Sequence, residues 1–189
     1  PLSGIENDVN WSSVVSIAYV NGDGLLDIYV SKELYDFQPE RRKNKLYLNQ
    51  GDFKFIEVAE KWGVADDQRS RQAVFLDYDK DGHIDLFVMN HPPNRGSYSP
   101  FIGQEIIKEK YSSKLYRNIN NEYYKDVTIE ANLLRTGFPS SAISSDFNND
   151  GWPDLYVSND FDSPDFLYLN NKDGSFTYKT ESALRHTSF

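Results

Sequence analysis

The chain has no cysteine, a single methionine and only three histidines in 189 residues. The missing cysteines exclude disulfides, thiolate metal sites and thiol nucleophiles. Long apolar runs are also missing. Residues 86–89 form one of the longest, far short of the ~20 apolar residues that a membrane-spanning helix needs. No basic amphipathic stretch is present that could lie on a bilayer, so membrane insertion is not expected. Bases are the minority, 20 Lys and Arg against 29 Asp and Glu, for a net charge of −9. Nucleic acid is therefore not an expected partner, because phosphate binding needs clustered cations. No H-E-x-x-H, G-x-S-x-G or Walker loop occurs, and no catalytic constellation is visible. What the chain has in quantity is aromatic residues, 13 Tyr and 12 Phe, within a 39% hydrophobic content sufficient for a packed core.

Internal repetition organises the sequence. Residues 19–27, 77–85 and 146–154 share one pattern, D-x-[DN]-x-D-G-x-x-D, from which the first departs only at Tyr19. Each is followed by three apolar or aromatic residues: Ile28-Tyr29-Val30, Leu86-Phe87-Val88 and Leu155-Tyr156-Val157. The loop glycines Gly24, Gly82 and Gly151 lie 58 and then 69 residues apart. A second shared element comes later in each unit: Lys45-Leu46-Tyr47-Leu48-Asn49, Lys114-Leu115-Tyr116-Arg117-Asn118 and Phe166-Leu167-Tyr168-Leu169-Asn170. Six residues after each of these Asn stands an aromatic, Phe55, Tyr124 or Phe176, across a turn-rich gap that marks a hairpin.

Each unit thus holds about four short strands: one before the Asp-rich loop, one after it, and a second hairpin. Four-stranded units of this size in tandem predict an all-β chain of three antiparallel propeller blades. The competing arrangement is three hairpins stacked in one sandwich. Unequal spacing arises between strands two and three, at 32–43, 91–113 and 158–165, and 102–111 is expected to form a short helix. The whole chain, 1–189, reads as one repeat domain with approximate blades at 6–64, 65–133 and 134–189. Residues 183–189 resemble 131–138, so both ends fall in the same inter-unit segment. The expectation is a piece of a larger propeller, with open blade edges through which copies could self-associate.

The Asp-rich loops have the ligand supply of a calcium site. Calcium takes six to eight hard oxygens, and a D-x-D-x-D-G loop presents side chains at positions 1, 3 and 5 around a glycine-permitted turn. Position 7 would add a backbone carbonyl and the Asp at position 9 would close the shell. The second loop would use Asp77, Asp79, Asp81, the His83 carbonyl and Asp85. The third would use Asp146, Asn148, Asp150, the Trp152 carbonyl and Asp154. In the first loop Tyr19 occupies position 1, leaving Asn21, Asp23 and Asp27. Affinity is expected to rank second, third, first, following carboxylate counts of four, three and two. An EF-hand is excluded, since position 12 is Val30, Val88 or Val157 in a strand-like run. The loops hold nine carboxylates, equal to the whole excess of acids over bases. Two or three structural Ca²⁺ ions are therefore expected. Mg²⁺ and a catalytic metal fit less well, and the plainest alternative is that Asp, Asn and Gly only mark turns.

These loops resemble the FG-GAP/VCBS repeats of integrin-α-like β-propellers. Residues Phe55-Ile56-Glu57-Val58-Ala59 and Tyr124-Lys125-Asp126-Val127-Thr128 also look like the F-x-D-V-T strand of the subset in secreted bacterial and cartilage-acidic-protein-like proteins. The resemblance implies structural Ca²⁺ between the first two strands of a blade and a secreted or cell-surface module for adhesion, ligand binding or assembly. Tyr19 departs from that pattern and puts the first site alone in question.

Antiparallel order places the Asp loops at one end of every blade and the longer connections at the other. That opposite face gathers Tyr35, Phe37, Arg41, Arg42, Arg69, Arg71, His91, Arg95, Tyr98, Phe101 and Arg135. Arg and aromatics are favoured at binding hot spots, so a protein or carbohydrate ligand is expected there. The reading is a non-catalytic recognition module. Its alternative is the calcium-stabilised propeller of a polysaccharide lyase or hydrolase, with His91 as base beside an Arg, or of a lectin.

Overall fold

The computed structural model describes residues 3–5, 10–33, 38–93, 110–160 and 163–179. Within them the chain folds into three four-stranded antiparallel sheets, each strand paired to the next in sequence. Sheet one comprises β1 (Ser12–Ala18), β2 (Asp27–Lys32), β3 (Lys45–Asn49) and β4 (Phe55–Glu57). Sheet two follows a single helical turn, α1 (Ala59–Trp62), and comprises β5 (Arg69–Leu76), β6 (Asp85–His91), β7 (Lys114–Ile119) and β8 (Tyr123–Asp126). Sheet three is β9 (Pro139–Ser145), β10 (Asp154–Asn159), β11 (Phe166–Asn170) and β12 (Phe176–Tyr178). Each second strand begins at the position 9 Asp, and each third strand covers the shared K/F-L-Y-x-N element. These are propeller blades, not hairpins of one sandwich. The expected helix over 102–111 and the 183–189 segment fall almost wholly outside the described residues.

The register repeats as faithfully as the sequence does. Ile28 pairs with Tyr47, Leu86 with Tyr116 and Leu155 with Tyr168. The pairing of first and second strands carries an irregularity in every sheet, at Ser12/Val14, Ser70/Gln72 and Ser158/Asn159. Bulges bend a strand and increase its twist.

Strand alternation then explains the packing. Successive side chains point to opposite faces, so a fully apolar run such as β6 must be covered on both. Leu86, Val88 and Tyr116 join Tyr29, Leu46 and Leu48 in a core between sheets one and two. Phe87, Met89 and Leu115 join Leu155, Val157 and Phe166 in a second core between sheets two and three. First strands line up along one side, β1 beside β5 and β5 beside β9. The step from sheet one to sheet two is made by α1, capped by Gly63 in the left-handed conformation at φ 77°. A Cβ there would stand 2.9 Å from the Tyr124 carbonyl oxygen. Among the described residues no helix is long and apolar enough to cross a membrane.

Candidate metal centre

The three Asp-rich loops join the first and second strands of their blades and fold alike. Position 6 is a glycine at φ 82°, 86° and 85° in loops one, two and three. Position 4 is also left-handed: Gly22 at φ 71°, Lys80 at 57° and Asn149 at 59°. The sequence pattern leaves position 4 open, so this requirement was not legible in it. Asn is one residue that tolerates the conformation; Lys80 holds it less comfortably.

Side-chain oxygens curl inward onto loop N–H groups. In loop two, Gly82 N donates to Asp77 Oδ2 at 3.1 Å and His83 N to Asp81 Oδ1 at 2.9 Å. In loop three, Gly151 N donates to Asp146 Oδ2 at 2.7 Å, Asp150 N to Asn148 Oδ1 at 2.9 Å and Trp152 N to Asp150 Oδ1 at 2.9 Å. In loop one, Asp23 N donates to Asn21 Oδ1 and Leu25 N to Asp23 Oδ1.

Loop two is the most concentrated of the three. Oxygens of Asp77, Asp79 and Asp85 lie within 4.8 Å of one another. Among the described residues this is the group of three acidic or imidazole donors close enough to share a cation. Burial pushes the Asp85 carboxyl up to about 8, against the pull of hydrogen bonds from Asn118 N and Tyr78 N, with Asp79 and Asp81 adding repulsion. Burial also raises Asp79, and its neighbour Asp81 adds to the effect. Asp77 Oδ1 is buried with no hydrogen-bond partner. An unpartnered buried carboxylate oxygen beside two crowded carboxylates is costly unless a cation answers it. The donor set is all oxygen, as calcium requires. The residues of loop two therefore fit the ion that the loop pattern implies.

The position 9 carboxylates have a second task. Asp27, Asp85 and Asp154 are fully buried. Each takes one backbone N–H from the loop entrance, Val20, Tyr78 or Phe147, at 2.9–3.0 Å. Each takes another from the Asn closing the third strand, Asn49, Asn118 or Asn170, at 2.8 Å. They tie strands one, two and three together at the loop end. Those Asn side chains act in turn. Asn118 Nδ2 donates to Val20 O at 2.9 Å and Asn170 Nδ2 to Tyr78 O at 2.8 Å, each reaching the preceding blade. The repeat displays these Asn, but nothing local in it says that their partners lie one blade away.

Cations border the loops. Arg117 Nε stands 2.7 Å from Asp79 Oδ2, as an ion-pair contact without a well-directed hydrogen bond, and Nη2 donates to Asp81 Oδ2 at 2.9 Å. Lys172 Nζ is 3.2 Å from Asp150 Oδ2. Neighbouring loops also touch. Lys80 Nζ sits 5.1 Å over the Trp152 ring, and the His83 Nδ1 atom is 3.1 Å from Asn121 Oδ1. The His83 and Trp152 side chains thus make contacts of their own with Asn121 and Lys80.

On the opposite face the described cations are held by neighbours. Glu33 Oε1 lies 3.0 Å from both Arg71 Nη1 and His91 Nε2, and these partners, His91 foremost, hold its carboxyl below the usual range. Arg41 Nε donates to Asn10 Oδ1, Arg42 Nε to the Asp67 carbonyl, and Arg135 stacks 4.0 Å from the Tyr178 ring centre. Arg69 also has partners. Tyr35, Phe37, Arg95, Tyr98 and Phe101 lie outside the described residues.

The FG-GAP-like repeat signature matches residues 19–88 and 146–188, more than half of the chain, and includes all three Asp loops. The chain belongs to the FG-GAP-like repeat family. No curated protein matches the sequence. Among solved structures, this FG-GAP-repeat chain is similar to a lectin from Agrocybe aegerita, described for its specific recognition of non-reducing terminal N-acetylglucosamine. The two share 16% identity with a TM-score of 0.47, over 89% of the FG-GAP-repeat chain and 38% of the lectin.

Proposed function

We propose that the chain is a calcium-stabilised β-propeller module, without catalytic activity, that serves extracellular recognition or adhesion. Its repeats are bounded near 6–64, 65–133 and 134–189. The observation that carries the calcium reading is the Asp77, Asp79 and Asp85 cluster together with the buried, unpartnered Asp77 Oδ1. Asp81 and the His83 carbonyl would complete that site. Asp146, Asn148, Asp150, Asp154 and the Trp152 carbonyl would hold a second ion, and Asn21, Asp23 and Asp27 a weaker third. The bound ion supplies positive charge that relieves carboxylate repulsion and locks strands one and two of the blade. Loops of this kind in extracellular modules bind at about 10⁻⁴–10⁻³ M, which supports a secreted or cell-surface setting. A protein or carbohydrate ligand would dock on the face opposite the loops.

The test is a calorimetric Ca²⁺ titration of EDTA-stripped protein, paired with thermal melts. Two or three sites are expected, with a stability gain of about 1.4 kcal/mol per site at ten times its Kd. No heat and no shift at millimolar calcium would leave the loops as turns only.

A further inference from the structure

Arg117 breaks the repeat at an otherwise apolar position. Blades one and three carry Leu48 and Leu169 in the same place of the shared third-strand element. The substitution falls in the one blade whose loop holds four carboxylates. Its guanidinium is aimed at that loop and contacts positions 3 and 5, Asp79 and Asp81. In both residues the contacted atom is Oδ2. The Oδ1 atoms are already engaged, accepting from Asp81 N and His83 N within the loop. Arg117 therefore covers the oxygens that the turn leaves over, which are those a cation would need.

We propose that Arg117 is a built-in counter-cation that a divalent ion must displace to fill loop two. This inference rests on the calcium reading above and concerns what sets the affinity of that site. Without metal, the crowded carboxylates of the loop repel, and a fixed guanidinium offsets part of that repulsion. With metal, the same contacts become a competitor. Counting carboxylates then overstates the affinity of loop two, and the ranking of sites depends on the strand that faces each loop. Lys172 against Asp150 is a lesser version of the same arrangement in loop three. Two partly exposed ion pairs correspond to roughly three- to tenfold in a binding constant.

The test compares the wild-type chain with Arg117→Leu, the residue that the sister repeats carry. Both are stripped with EDTA, titrated with CaCl₂ by calorimetry and melted with and without calcium. Asp79→Asn identifies which binding step belongs to loop two. Arg117→Leu is expected to tighten that step roughly three- to tenfold and to lower the melting temperature in EDTA, so that calcium raises it further than in wild type. If the wild type binds calcium and Arg117→Leu binds it with the same affinity at loop two, the counter-cation role is overturned and the calcium reading stands. If neither protein binds, the calcium reading fails and this inference with it. Should Arg117→Leu not fold, Arg117→Gln is read by the same criteria.

Discussion

Asp27, Asp85 and Asp154 concentrate two demands in one side chain. Each is offered by the loop pattern as the last metal ligand, yet each has both oxygens committed to backbone N–H groups in the fold. That double commitment explains why loop one keeps Asp27 although Tyr19 has replaced its first ligand. A carboxylate accepting two N–H groups away from water is difficult to replace, since both donors are orphaned when it goes. Asp27→Ala is therefore expected to destabilise the chain by about 2–4 kcal/mol in urea unfolding. Most of the deficit should already appear in EDTA, and calcium should widen it only slightly, because loop one is the weakest of the three sites. A loss seen only in calcium would mean that Asp27 acts as a ligand and not as a strand tie.

At the scale of the blade, the third-strand Asn is one of the side chains that couple neighbours. Asn170 reaches back to Tyr78 O and also bonds Pro153 O, while its Oδ1 accepts from Lys172 N. Asn49 is its counterpart in blade one, but its bonds, to Leu26 O and from Gly51 N, stay within its own blade. The same residue in the same repeat position should thus carry different energies. Asn170→Ala is expected to cost about 1–3 kcal/mol, because it leaves the Tyr78 carbonyl unsatisfied in a buried setting. Asn49→Ala should cost clearly less. Paired denaturant curves check the contrast, and equal losses would show that the bond between blades adds nothing to the turn-closing bond. Hydrogen exchange in β5 and β6 should rise with Asn170→Ala if the blades are loosened from each other.

Across the whole molecule, two cores lie between three sheets, and the outer face of sheet one remains uncovered among the described residues. Val15 pairs with Val30 and Ile17 with Ile28 on that face. Val15 and Ile17 are each 58% exposed. Their cross-strand partners Ile28 and Val30 are only half-buried, whereas the residues in their place in the other blades, Leu86, Val88, Leu155 and Val157, are buried in the cores between sheets. An apolar sheet face of this kind favours association. Sedimentation of the chain should show mass increasing with concentration, and Ile17→Lys should suppress it. A single monomeric mass at every concentration would overturn this expectation.

The loops and blades were readable from residues because they are local. The loop spacing, the glycine at position 6, the apolar triplets and the hairpin turns act within a few residues and repeat three times, so one unit corroborates the next. Strand order and register follow from them. Between-blade contacts are another matter. Asn118 meets Val20 across 98 residues and Asn170 meets Tyr78 across 92. The partner in each case is a backbone carbonyl, which carries no mark in the sequence. Likewise, Arg117 reads as a strand residue until the fold turns its guanidinium onto Asp79 and Asp81. By itself the sequence determined which segments become strands and where acidic oxygens gather, because those depend on local conformation and composition. Only the tertiary structure decided which oxygens stay unpaired, which cations stand over them and which side chains hold neighbouring blades together, because those depend on approach between segments distant in the sequence.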